Sequence, residues 1–485
     1  MRPKFKLLDC RLVERILDEA FELLETIGTR VGSSEALELL ISAGAQVGDG
    51  IAQIPRSVVR RALASVPHEF VVYNRAGQPA VHYGGDDVHF DPGSSCLNIL
   101  DPDIEQPRPA GFADLIRMVQ VTEVLPEYAA QSTALVCNDV PSEMGDWYRL
   151  LLVLWYSDKP IVTGAFSVPT LRIMLELLAA DAGGARRLRE RPRAVFDVCP
   201  SPPLNWSEFA SHNMVELARA GVPAEIVSMP LAGATAPVTL AGAMVQHAAE
   251  CLAGITIHQL AQPGAPVVWG GAPAIFDMRT GNTPMGAVET AMLDVGCAEV
   301  GKSLGLPTHG YLVATDGQRI DAQAGIESGG SALLGALAGI NMISGAGMLN
   351  FLACHSIEKL VIDAEAIASA QRLVRGVEPA TEKLALGMFA QTGIHGDFLK
   401  LKETRALFRN EQHFPSAVID RSGDANAAGI LERARQRVDE LLESYRRPEI
   451  SSPVEELLRA IASREAKALG LEHLPGIDLL AHISA

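Results

Sequence analysis

The chain has 485 residues, 48% hydrophobic and 20% charged, which excludes a disordered or low-complexity protein and leaves room for two or three domains or one barrel with additions. A net charge of -17 excludes nucleic acid or an anionic membrane surface as the main partner, since both reward clustered Lys and Arg. Seven scattered cysteines, odd in number and without a C-x-x-C pair, point to a reducing compartment.

The start, Met1 to Arg11, has no long apolar stretch, and no later run reaches the roughly 18 uncharged apolar residues that span a bilayer. A soluble cytoplasmic protein is expected. From Asp9 to Ser65, apolar residues at helical spacing (Leu12, Ile16, Ala20, Leu23, Leu24, Ile27, then Leu37, Leu39, Leu40), broken at Gly48-Asp-Gly50, predict an α-helical cap. Phe70–Tyr73 and Ala80–Tyr83, alternating on either side of Arg75-Ala-Gly-Gln78, predict a hairpin that joins the cap to the rest of the chain.

Strand, turn and helix patterns then repeat. Predicted strands lie at 86–91, 130–137, 160–166, 193–199, 223–229, 265–271, 307–313 and 340–346, each followed by helix. Eight such units predict an α/β fold of the (β/α)8 TIM-barrel type, whose reactive face is built from loops after the strand ends. An open doubly wound sheet competes, but no G-x-G-x-x-G follows the first strand. In Val227–Gly242 the small residues let a ligand approach, Thr235 is placed to cap the next helix and Pro237 to sit in its first turn. Residues 357–393 read as helix, 398–421 as a polar stretch and 426–469 as charged helix. The expected division is a cap and hairpin (1–85), a barrel (86–395) and a C-terminal helical extension (396–485) that leans toward a homo-oligomer.

Five motifs carry a resemblance: Gly233-Ala-Thr-Ala-Pro-Val-Thr-Leu-Ala-Gly242, Gln259-Leu-Ala-Gln-Pro-Gly264, Asp277-Met-Arg-Thr-Gly281, Asp321-Ala-Gln-Ala-Gly-Ile-Glu327 and Ser356-Ile-Glu-Lys-Leu360. In this order they resemble the trimethylamine methyltransferase family, which contains pyrrolysine enzymes and non-pyrrolysine relatives such as glycine betaine methyltransferases. The resemblance implies a TIM-barrel enzyme that moves a methyl group from an amine nitrogen to the Co(I) corrinoid (cobalamin) of a separate corrinoid protein. Every position here is a standard residue, which favours the non-pyrrolysine branch and a quaternary or tertiary, betaine-like amine. Two rivals stand beside this: a methyltransferase that binds a folate or cobalamin acceptor directly, and a methylated-amine binding protein without turnover.

In that reading the partner brings the nucleophile, and the protein supplies position and electrostatics. A quaternary nitrogen has no N–H to donate, so aromatic faces and carboxylates must hold it. Aromatics at or just after predicted strand ends are Phe90, Phe166, Trp269, Phe276, Tyr311 and Phe351, with Phe90, Tyr311 and Phe351 the preferred cage. Polar residues on the same face are Asp91, Asn138, Asp139, Ser201, Thr235, His309, Asp316, Glu327, Asn350 and His355, with His309 and Glu327 best placed to orient a substrate carboxylate or its nitrogen end. His309, Cys354 and His355 lack zinc-site spacing, so no bound metal is expected. Gly329-Gly330 and Gly345-Ala-Gly347 suit phosphate turns or close helix packing equally, and Cys199 reads as a buried thiol.

Overall fold

The computed structural model describes residues 2–475. Helix Cys10–Thr26 opens on an Asp9 cap that accepts from the Leu12 amide and buries Ile16, Ala20, Phe21 and Leu24. The interruption at Gly48-Asp-Gly50 is a hairpin turn: Asp49 and Gly50 have φ of 51° and 75°, and the turn joins the antiparallel strands Gln46–Gly48 and Ile51–Gln53. Positive φ at both positions is what a tight hairpin asks for. The cap is therefore helical with a small sheet, completed by Thr29–Val31 and Asn205–Trp206. The hairpin Phe70–Tyr73/Pro79–Tyr83 forms as expected.

All eight predicted strands occur: β1 (His89–Pro92), β2 (Gln131–Ser132), β3 (Ile161–Gly164), β4 (Ala194–Val198), β5 (Ala224–Ser228), β6 (Val267–Gly271), β7 (His309–Tyr311) and β8 (Met342–Ala346). Helices come after them in turn: α1 (Phe112–Val124), α2 (Gly145–Tyr156), α3 (Val168–Ala182), α4 (Glu208–Ala220), α5 (Leu240–Ala261), α6 (Val288–Ser303), α7 (Ala322–Ala338) and α8 (Ile357–Val374). The strands form two parallel sheets, ordered β6-β5-β4-β3-β2 and β7-β8-β1. A bridge between Trp269 and Thr308 links β6 to the β7 side. On the other side the Ala129 amide, just before β2, donates to the Phe90 carbonyl of β1.

Parallel strands buried on both faces read as apolar runs. Their outward residues and the helices share one continuous core that reaches from Ile16 to Leu474. Their inward residues near the strand starts, Ala130, Val162, Val195, Val268 and Met342, pack instead against Val72, Val81 and Tyr83 of the hairpin. The hairpin plugs the inner space at that end.

Two expectations change. α5 is long and apolar enough to cross a membrane by length and composition, contrary to the reading that no run is; here it is mostly buried inside the protein, with Glu250 in its middle. Its cap is Thr239, whose Oγ1 accepts from the Gly242 amide, and Pro237 lies before the helix. Thr235 is occupied because residues 231–236 close their own turn, in which its Oγ1 accepts from the Leu231 amide at 3.0 Å. Beyond α8, helices Ile430–Ser444 and Ser452–Ala468 pack on α8, α1 and α3, whereas Leu386–Thr392 and Lys402–Glu411 bury no residue.

A buried carboxyl cluster as candidate active site

Three carboxyl groups face the inner space beyond its apolar floor. Asp197 of β4 and Glu225 of β5 are register partners and so point the same way. Asp91 of β1 joins them through β8: Ser344 Oγ donates to Asp91 Oδ1 at 2.6 Å and lies 3.0 Å from His309 Nε2. A hydroxyl that donates to Asp91 accepts from His309, which leaves Nδ1 as the unprotonated nitrogen. That nitrogen is 3.2 Å from Glu225 Oε1.

The cluster is rich in unpartnered atoms. Asp91 Oδ2, His309 Nδ1, the Tyr83 hydroxyl and Ser132 Oγ are buried without a hydrogen bond, and Asp197 Oδ1 and the Glu225 oxygens find no partner outside their own carboxyl pair, in which a protonated Glu225 donates to Asp197. Buried polar groups are nearly always paired, so such a concentration marks a place built for something other than stability. Burial, with repulsion from Asp197 and Asp91, drives the Glu225 carboxyl well above the carboxylate range. Burial pushes Asp197 up to about 7, raises Asp91 strongly, and lowers His309 to about 3. A neutral Glu225 acid facing an unprotonated Nδ1 agrees with that distribution.

Access is from the strand ends. Gly164 of β3, Asp197 of β4 and Cys199 just after β4 keep partial exposure while their outward neighbours are buried. The Cys199 thiol is pushed up to about 12 by burial and the nearby carboxyls, so it is no nucleophile at neutral pH.

Of the residues singled out from sequence, Asp91, His309 and Tyr311 come together here. Tyr311 presents its ring edge to His309 at 6.2 Å, and its hydroxyl accepts from the Ser94 amide and donates to Met348 Sδ. Phe90 and Trp269 sit on the opposite strand face, in the helix-side core, where Trp269 Nε1 donates to the Cys297 carbonyl. Phe166 is 57% exposed and lies over Arg149 beside a separate cavity of about 610 Å³ between α2, α3 and Ser452–Ala468. Glu327 is occupied by Thr315 Oγ1, the Asp316 amide and Gln323. Asn350 and Phe351 form a left-handed turn with Leu352, at φ of 50°, 54° and 69°. Thr235 stays in its own turn, outside the cluster.

Sequence reasoning passed over Asp197, Glu225, Ser344 and Tyr83. The available signal was a lone carboxylate inside each of two apolar runs, Ala194-Val-Phe-Asp-Val198 and Ala224-Glu-Ile-Val227, where a strand buried on both faces has no reason to keep one. Among the described residues, no three His, Cys, Asp or Glu side chains are grouped to hold a metal ion.

Fold and site together define an α/β protein with an acidic cluster toward the ends of parallel strands. The chain belongs to the trimethylamine methyltransferase (MTTB) family, whose model matches residues 1–470. It is 30% identical over 457 residues to a trimethylamine methyltransferase, MttB, of Desulfitobacterium hafniense (strain DSM 10664 / DCB-2), covering 93% of this chain and 92% of that one. It is 28% identical over 477 residues to a glycine betaine methyltransferase of Desulfitobacterium hafniense (strain Y51), covering 97% and 99%. The crystal structure of the Methanosarcina barkeri monomethylamine methyltransferase MtmB shares the fold at 11% identity and a TM-score of 0.53, with 97% of this chain and 90% of that chain covered.

Proposed function

We propose that the protein transfers a methyl group from a quaternary or tertiary amine to the Co(I) corrinoid of a partner protein. The observation that carries this reading is the buried carboxyl cluster, which suits a cationic nitrogen, in a chain of this family. In its scaffold the two sheets join as a closed (β/α)8 barrel, with 1–85 as cap and hairpin and 396–485 as extension, in a soluble, cytoplasmic protein.

One ionised carboxylate balances the ammonium while its neighbours stay protonated, since three charges this close cannot all ionise. The Tyr311 ring stands beside the nitrogen, and burial excludes water. When bound by its partner protein, the corrinoid supplies the cobalt nucleophile that accepts the methyl group. The leaving amine is then neutral, and Glu225, held as the acid, is placed to give it a proton.

The residues at the open end suit a large partner. Phe166, Met229, Val238, Met278, Val288 and Ile326 are exposed apolar side chains on loops and helix starts after β3, β5, β6 and β7, and Gly233-Ala234 add no bulk between them. A homo-oligomer is supported by the uncovered apolar residues Val377, Leu384, Leu386, Ile394 and Leu399. The test incubates purified protein and a reduced corrinoid protein with glycine betaine, carnitine, choline and methylamines. Methylcobalt absorbance with one of them is expected; none with any would sink the proposal.

A further inference from the structure

We propose that the acidic cluster selects a methylated ammonium carrying no carboxylate of its own, so that monocations bind and zwitterionic betaines are refused. This selection rests on the methyltransferase reading and narrows its substrate class.

Nine side chains from seven elements face the cluster. The hairpin contributes Tyr83, β1 Asp91, β2 Ser132, β4 Asp197 and Cys199, β5 Glu225, β7 His309 and Tyr311, and β8 Ser344. β3 and β6 present glycines there, Gly164 and Gly270. None of these elements brings a Lys or Arg to the cluster. The groups that bear electrostatically on Asp91, Asp197 and Glu225 are one another, with no cation among them. His309 is held neutral, and its Nε2 is committed to Ser344.

Buried cations elsewhere in the barrel are already engaged. Arg149 binds Asp146, the Gly145 and Thr133 carbonyls and Ser95 Oγ. Lys359 binds Asp363, Ser328 Oγ and the Val313 carbonyl. A betaine carboxylate would find hydroxyl and carboxylic-acid donors there, Tyr83, Ser132 and Glu225, but no cation to offset its charge beside an ionised carboxylate, and it would lose its hydration. The unpartnered Oδ2 of Asp91, in a fully buried side chain, and the Asp197–Glu225 carboxyl pair beside it suit a cation. Preference for a monocation should therefore be roughly 100-fold or more, as when a site lacks the partner that one substrate group requires.

Calorimetry on the full chain without its partner protein tests this. The probes are tetramethylammonium, choline, glycine betaine, carnitine and dimethylbutanol, the neutral carbon analogue of choline. Expected are binding of the two monocations, about 100-fold weaker binding of the other three, and proton release near neutral pH, read from heats that change with the buffer's ionisation enthalpy. Glu225→Gln and Asp197→Asn should each reduce that proton release while the variants melt cooperatively; if either variant does not fold, the other carries the reading. Glycine betaine or carnitine binding as tightly as tetramethylammonium, or dimethylbutanol matching choline, overturns the inference. The cobalt assay separates the two levels. Monocation binding without methylation of cobalt leaves the charge selection standing and removes the methyltransferase reading; methylation from glycine betaine does the reverse, and no binding by any probe overturns the charge selection.

Discussion

The two ends of the inner space are made by the same strands under opposite rules. At the strand starts, Val162, Val195, Val268 and Met342 meet Val72 and Val81 of the hairpin in an apolar plug. A few residues further along, Asp91, Asp197, Glu225 and His309 carry polar atoms without a partner outside the cluster. The first arrangement gains stability by removing apolar surface from water; the second spends stability on groups that gain only when a ligand is present. Substitutions at the two ends should therefore fail in different assays.

The largest separation is expected from Glu225→Ala. Turnover should fall by about 10²–10³-fold, as when one preorganised electrostatic group is lost, while thermal stability in mildly alkaline buffer is kept or raised. A variant that keeps its turnover would remove Glu225 from the chemistry. At the other end, Met342→Ala should cost ~2–5 kcal/mol in urea unfolding yet leave turnover per folded molecule unchanged. A loss of turnover without loss of stability would dissolve the distinction between the ends.

Titration sharpens the contrast further. The folded Asp197 carboxyl, raised to about 7, binds its proton more tightly than in the unfolded chain, so stability is fullest on the acid side and is lost as pH rises through about 7. Buried His247, lowered to about 4, and His258 and His355, lowered to about 3, act in the other direction. Their contribution is present above the ordinary histidine value and is lost as pH falls below it. From about pH 4 to about 7 the two contributions oppose one another, and above about 7 neither changes, so melting temperature should climb with pH and then level; Asp197→Asn should steepen the climb, and an unchanged profile would refute the assignment. The smallest effect concerns facing. Trp269→Phe, on the helix side, should change stability by about 1 kcal/mol and leave amine affinity alone, whereas Tyr311→Leu, which removes the ring beside the nitrogen, should weaken affinity a few-fold.

That last pair also shows what the amino-acid order made legible. The eight strands were readable because each is a short apolar run followed by a helical pattern. Which residues of a run point inward was not, since a shift of one position moves every side chain to the other face. Phe90 and Trp269 therefore looked like cage members but belong to the outer core, while their neighbours Asp91 and Gly270 face the carboxyl cluster. Asp197 and Glu225 were hidden by their own surroundings, because one acid in an apolar run reads as an irregular strand until register places two of them side by side. Thr235 shows the same limit in a loop: its spacing suited a cap, but a local turn competed for its hydroxyl and prevailed.

The plug has a consequence for synthesis. Val81 leaves the ribosome on the order of 260 residues ahead of Met342, an interval of roughly 13–50 s at ordinary elongation rates. Throughout that time the hairpin's apolar face has only part of its final surroundings. Nascent chains stalled before β8 should therefore recruit chaperones and resist native-like compaction, whereas chains released just after α8 should acquire protease resistance in a single step.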